Sequence, residues 1–124
     1  MISLQSVVLA AFIMLLLDSI FLSAMKRPFS LLVESIQQSP MSLRMIPVLL
    51  CYLFLLLLFC YFIIYKQGTI LDAFLLGLGT YGVYETTNFA IFKKWNNLSV
   101  SIIDTIWGGV LFSTTLYIHN LIIK

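Results

Sequence analysis

The chain has 124 residues, 61% of them hydrophobic and 10% charged, and its mean hydropathy is +1.06. A water-soluble domain of this length cannot bury so much apolar surface, so composition excludes a soluble globular fold and makes lipid the solvent. The formal charge of +2 is small and the seven Lys and Arg residues stand singly or in pairs, which excludes a nucleic-acid surface and fits the flanks of membrane helices.

About 20 consecutive apolar residues cross the hydrocarbon core as a helix. The first such run, Ile2 to Met25, is read as helix one and not as a cleaved signal peptide. It has no basic start, its apolar run is too long, and Lys26-Arg27-Pro28 is not a small-residue cleavage site. The connector from Lys26 to Arg44 follows. Within it Phe29, Leu32, Val33 and Ile36 recur at helical spacing, with Ser30, Glu34, Gln37 and Gln38 on the other side. This pattern predicts an amphipathic segment in the headgroup layer, with Lys26 and Arg27 near anionic lipid. An interfacial linker and a regulatory or partner-binding helix both fit it.

The second run, Met45 to Tyr65, holds nothing ionisable except tyrosine and cysteine and is expected to be the most lipid-facing element. Its two cysteines, Cys51 and Cys60, lie about 13 Å apart along a helix axis and on opposite faces, which excludes a disulfide between them. The chain has no Cys and His cluster at zinc-ligand spacing, so neither a metal nor a cofactor is expected. The third run is Ile70 to Phe92 and the fourth Ser99 to Ile122. Connectors Lys66 to Thr69 and Lys93 to Leu98 are short enough only for hairpins between antiparallel neighbours. The expected fold class is therefore all-α: one transmembrane domain over residues 1–124, an antiparallel four-helix bundle with an interfacial segment between helices one and two.

Counting cations gives the orientation. Lys26, Arg27, Arg44, Lys93 and Lys94 lie on one side of the predicted bundle, and only Lys66 and Lys124 on the other. The rule that basic loops stay cytoplasmic then places both termini on the non-cytoplasmic side. The sequon Asn97-Leu98-Ser99 falls inside and should escape glycosylation.

Two apparent motifs in the third run do not carry their usual meaning. The letters of "GLGTYG", Gly77 to Gly82, match a dinucleotide fingerprint, but that motif works as a turn between a strand and a helix, and no strand precedes it here. "TYGVY" resembles a potassium-channel filter without its second glycine and without room for a pore helix. The small residues Ala73 and Gly77, then Gly82, Thr86 and Ala90, recur every four positions and suit close helix packing, with Gly108 as a small residue on the fourth run.

The carboxylates are the residues a bilayer tolerates least. Asp18 lies seven residues before the inner end of helix one, Glu85 seven before the inner end of helix three, and Asp104 five residues into helix four. At 1.5 Å per residue all three fall in one layer, about 10 Å below the cytoplasmic surface. Asp72 belongs to the opposite end and reads as a solvated helix-start residue. Tyr81, Tyr84, Glu85 and Asn88 form one stripe, and Ser101, Asp104, Thr105, Gly108, Thr115 and His119 another. Because a charge facing lipid costs several kcal/mol, both stripes should turn inward and meet. The acids then carry protons, hold a cation, or are reached from the rim by Arg44, Lys93 or Lys94.

The stretch "YGVYETTNFAIFKKWNNLSVSIIDTIWGG" resembles the signature of a family of small bacterial membrane proteins, domain of unknown function 2177, which reads Y-x-x-Y-D-x-T-N-x-A-x-x-x-x-W and then V-D-x-x-W-G. The resemblance runs through Tyr81, Tyr84, Thr87, Asn88, Ala90, Trp95, Asp104, Trp107 and Gly108, and "DSIFL" is similar to a D-x-x-W-L motif through Asp18 and Leu22. Glu85 stands where the family has aspartate and Phe21 where it has tryptophan. The resemblance implies the same four-helix layout and no particular activity.

Three functions fit these residues. The first is binding or translocation of a proton, monovalent cation or small solute by Asp18, Glu85 and Asp104, with Tyr81, Tyr84, Asn88, Ser101 and Trp107 around them. The second is a structural or assembly role, in a homo-oligomer or a larger membrane complex, in which buried polar groups pin the helices and Trp107 is an interface anchor. The third is lipid binding or modification. A hydrolase needs a nucleophile beside a base, and the one histidine, His119, lies at the far end, so an enzyme is the less favoured reading.

Overall fold

The computed structural model describes residues 2–123, so Lys124, counted above among the outer cations, lies outside the described residues. The described residues form five α-helices and no strand. Helix α1, Leu4–Ala24, starts at Ser3, whose side chain accepts from the Ser6 N–H at 3.1 Å. It stops at Met25 because Pro28 has no N–H to give and its ring would strike the carbonyl one turn back. The chain turns there into α2, Lys26–Gln37, which ends at Gln38 in the left-handed conformation (φ 57°).

Helix α3, Met45–Phe59, carries Pro47 in its first turn, where a missing donor costs nothing, and continues as a π-helical stretch, Cys60–Tyr65. Helix α4, Ile70–Ile91, opens on a reciprocal cap: Thr69 Oγ1 accepts from the Asp72 N–H at 3.1 Å, and Asp72 Oδ2 accepts from the Thr69 N–H at 2.8 Å. Asp72 is thus an exposed helix-start residue, as its position in the sequence suggests. Helix α5, Leu98–Ile123, is capped by Asn97, whose Oδ1 accepts from the Val100 N–H at 3.1 Å.

Three stretches, Leu4–Ala24, Met45–Tyr65 and Leu98–Ile123, are long and apolar enough to cross a membrane. The expected fourth, α4, has the length with 22 residues but a lower mean apolarity. The reason lies in its composition, since Thr80, Glu85, Thr86, Thr87 and Asn88 share one helix with three glycines. The α3 segment was expected to face lipid most fully, and with 17% of its apolar window buried it is the least enclosed of the three. One stripe nonetheless turns inward: Leu55, Phe59 and Ile63 are buried and Tyr52 packs beside them.

Packing is closest between α4 and α5. Residues meet across them in opposite order, Phe74 with Gly109, Gly77 with Gly108, and Gly82 with Thr105, so the two helices are antiparallel. At the crossing, a Cβ on Gly77 would run into the Gly108 carbonyl and one on Gly108 into the Gly77 carbonyl. Only two glycines allow backbones this near. Thr86, expected at the same interface, is exposed and its hydroxyl donates to its own helix at the Gly82 carbonyl (2.7 Å), so it lies off the seam. The core behind the crossing is built from Met14, Phe59, Leu111 and Phe112, each no more than 2% exposed, with Phe59 and Phe112 edge to face at 5.5 Å. In lipid such contacts hold helices together by dispersion and fit, because apolar burial gains little against hydrocarbon.

A second cluster lies at the end where α1 turns into α2. Leu32 packs with Trp95 and Val100, flanked by Phe29, Val33 and Ile36. The apolar stripe expected to rest on the headgroup layer therefore rests largely on the connector between α4 and α5.

Candidate functional site

The last turns of α4 and the first of α5 bring Glu85 and Asp104 together. Glu85 is 1% exposed and Asp104 5%. The Asp104 carboxyl lies beside that of Glu85. Glu85 Oε1 accepts from the Trp95 indole N–H at 3.0 Å. Trp95 is held there because its amide donates to the Phe92 carbonyl at 3.0 Å, folding the connector back under α4. Glu85 Oε2 is buried with no hydrogen-bond partner, and so is the hydroxyl oxygen of Ser101, which lies three residues before Asp104 on the same face of α5. Buried polar atoms are almost always partnered, so these two oxygens keep hydrogen-bonding capacity that no protein group uses.

Asp18 behaves differently. Its Oδ1 accepts from the Trp107 indole N–H at 2.9 Å and its Oδ2 from the Tyr52 hydroxyl. Phe21 stacks flat on Trp107, with ring centroids 4.6 Å apart and planes 3° from parallel. Both oxygens of this buried carboxylate are thus engaged, and they tie α1, α3 and α5 at one level. The three acids do not form one metal-holding cluster: among the described residues, no three of His, Cys, Asp or Glu stand close enough together to hold a metal ion.

The other residues singled out from the sequence fall at graded distances from the pair. Tyr81 is half-buried and its ring covers Gly108. Asn88 is buried one turn beyond Glu85. Tyr84 is 54% exposed and meets the site only through its ring edge, 6.3 Å from that of Trp95. Gly77 and Gly108 form the crossing, and Gly82 lies opposite Thr105. His119 is buried at the far end of α5, where Nδ1 is 3.1 Å from Asn120 Oδ1 and Nε2 has no partner. Tyr52 and Trp95 were not among the residues expected at the site. An indole N–H must find an acceptor when buried, and a tryptophan just past a helix end that carries a buried acid is the signal that could have found the second.

A family model described as a predicted membrane protein (DUF2177) matches residues 3–119. The chain belongs to that family. No curated protein and no solved structure matches the chain. For this DUF2177 protein the membrane setting therefore stands on the family and on its apolar helices together, and any activity has to be argued from the carboxyl pair.

Proposed function

We propose that Glu85, Asp104 and Ser101 form a binding site for a proton or a monovalent cation, through which this protein moves that ion across the bilayer. The observation that carries the reading is the burial of Glu85, Asp104 and Ser101 together with one Glu85 oxygen and the Ser101 hydroxyl oxygen that no protein group partners. Two carboxylates are acceptors only, so a hydrogen bond between them requires a proton, and two bare charges side by side in hydrocarbon require a counter-ion. Trp95 fixes one oxygen of Glu85 and leaves the other for the ligand. Asn88 and Tyr81 border the site as neutral groups, and Tyr84 stands at its mouth.

This reading takes α4 as a fourth span. Two of its polar residues, Glu85 and Asn88, are buried, and its lower apolarity then reflects in part a lined interior. With α1, α3, α4 and α5 all crossing, the positive-inside count puts both termini outside and the carboxyl pair near the cytoplasmic face. Four helices enclose little room for a conduction path, so the ion passes either along a crevice that opens or between copies in an oligomer.

A structural role is favoured by one observation, the Asp18 clamp, in which a carboxylate with both oxygens engaged serves the packing of three helices. Flux of protons and of Na+ or K+ in proteoliposomes separates the two readings. Glu85→Gln and Asp104→Asn are expected to remain folded and to lose flux by ten-fold or more. No flux in the unaltered protein, with Glu85→Gln unfolding or dissociating, would overturn the ion reading.

A further inference from the structure

We infer that a groove between α2 and the α4–α5 connector binds the headgroup of an anionic phospholipid. The groove has a volume of about 470 Å³ and is lined on one side by Pro28, Leu31, Leu32 and Ser35 of α2 and on the other by Lys94, Asn96 and Asn97. Its size lies in the range of about 300–1,000 Å³ usual for small-ligand sites. It is distinct from the carboxyl pair, which is enclosed between α4 and α5.

The chemistry of the two walls differs in a way that matches one class of molecule. The connector wall supplies donors: the Lys94 ammonium, the Asn96 amide, and the amide nitrogen of Asn97, whose oxygen is already occupied by the Val100 N–H. The α2 wall is apolar at Pro28 and at Leu31, which is 57% exposed, while the Ser35 hydroxyl is turned back to the Leu32 carbonyl at 2.7 Å. No carboxylate lines the groove. Donors with a cation on one wall and hydrocarbon on the other suit a phosphate joined to a glyceride and do not suit a free, fully hydrated anion. Exposed Lys26 and Arg27 at the start of α2 and Lys93 beside Lys94 extend the positive field around the opening, against the single acid of α2, exposed Glu34, which lies outside the lining.

The groove also sits where a headgroup would be. It opens at the end of the bundle that carries five of the chain's seven Lys and Arg residues, one turn from where α1 leaves its apolar run. The surface helix α2 thereby lends one wall to a lipid site while its other apolar residues hold the connector.

The test is lipid titration of the full chain in detergent, with bound lipid read by native mass spectrometry. Phosphatidylglycerol is expected to bind at least about five-fold more tightly than phosphatidylcholine, since each cation near the surface adds roughly that factor. Lys94→Gln should remove about five-fold of that affinity and Leu31→Trp, which fills the apolar wall, most of it. Lys94 and Leu31 are exposed, so neither change opens a hole in the core. Lys66→Gln, at the opposite end, should leave binding unchanged. Equal binding of the two lipids, or phosphatidylglycerol binding untouched by both groove variants, would overturn the assignment. Displacement of the lipid by millimolar inorganic phosphate would overturn its lipid part, because the groove would then be reading the phosphate alone.

Discussion

The crossing of α4 and α5 makes a quantitative prediction within a single helix. Gly77 and Gly79 are two residues apart and chemically identical, but a Cβ at Gly77 would overlap the Gly108 carbonyl oxygen, lie 2.7 Å from its carbon and 2.9 Å from Phe112 Cβ, whereas one at Gly79 meets nothing within 4 Å. Ordinary contact begins near 3.4 Å, so Gly77→Ala must move the Gly108 carbonyl carbon by about 0.7 Å and its oxygen by about twice that, unless the carbonyl tilts away. A well-packed residue makes about 40–60 contacts of about 0.1–0.2 kcal/mol each, and a gap of this width forfeits between a quarter and a half of each well. Allowing for partial relaxation, the loss is about 2 kcal/mol, inside the roughly 1–3 kcal/mol typical of overpacked sites. Gly79→Ala should be neutral or should stabilise by up to about 1 kcal/mol through helix propensity. Reversible unfolding in mixed micelles with increasing sodium dodecyl sulfate, followed by fluorescence of Trp95 and Trp107, measures both. Equal losses at the two positions, or none at Gly77, would refute the crossing.

Further outcomes follow from the same geometry. Asp18→Ala leaves the Tyr52 hydroxyl and the Trp107 indole N–H without their acceptor and should cost about 3 kcal/mol in that unfolding assay, whereas Tyr52→Phe removes one charge-assisted bond and should cost about 1.5–3 kcal/mol. Leu32→Ala empties the contact between α2 and Trp95 and should cost about 2–3 kcal/mol; limited proteolysis across residues 38–44 should quicken measurably as α2 loosens. Expressed in a glycosylating host, the chain should keep Asn97 unmodified, with gel mobility unchanged by glycosidase, if the connector between α4 and α5 stays cytoplasmic.

Three of the four apolar runs were legible in the sequence because length and hydropathy report the bilayer directly, and Met45–Tyr65 ends where its run ends; for Ile70–Ile91 the helix was legible within a residue, but its apolarity falls short of a span. The small residues at Gly77 and Gly108 were legible because glycine in a membrane helix often marks close approach, although Gly79, with nothing within 4 Å, shows that residue type alone does not decide it. Which acid meets which partner was not legible. Helix periodicity gives a face and a depth, and Asp18 and Asp104 have nearly the same depth. They differ in that Trp107 and Tyr52 reach one and not the other, a matter of rotamers and helix rotation that no spacing encodes. Tyr52 was hidden for a further reason: it sits in a uniformly apolar run where the buried stripe has no hydropathy contrast with the lipid face. Thr86 shows the reverse error. Its four-residue spacing from Gly82 matched a packing stripe, but the buried face there runs through Glu85 and Asn88 and leaves Thr86 exposed.

Trp95 has a consequence beyond holding a carboxyl oxygen. Its ring is packed against Leu32 of the surface helix, and its N–H is spent on Glu85 inside the bundle. One side chain therefore belongs to both the aqueous edge and the buried acid. A change that lifts α2 from the connector bears on the donor of Glu85, and a change at Glu85 that alters its bond to Trp95 bears on the grip on α2 by the same free energy, because linkage is reciprocal. The α2 helix is in this way a thermodynamic reporter of the state of a buried carboxyl it does not touch.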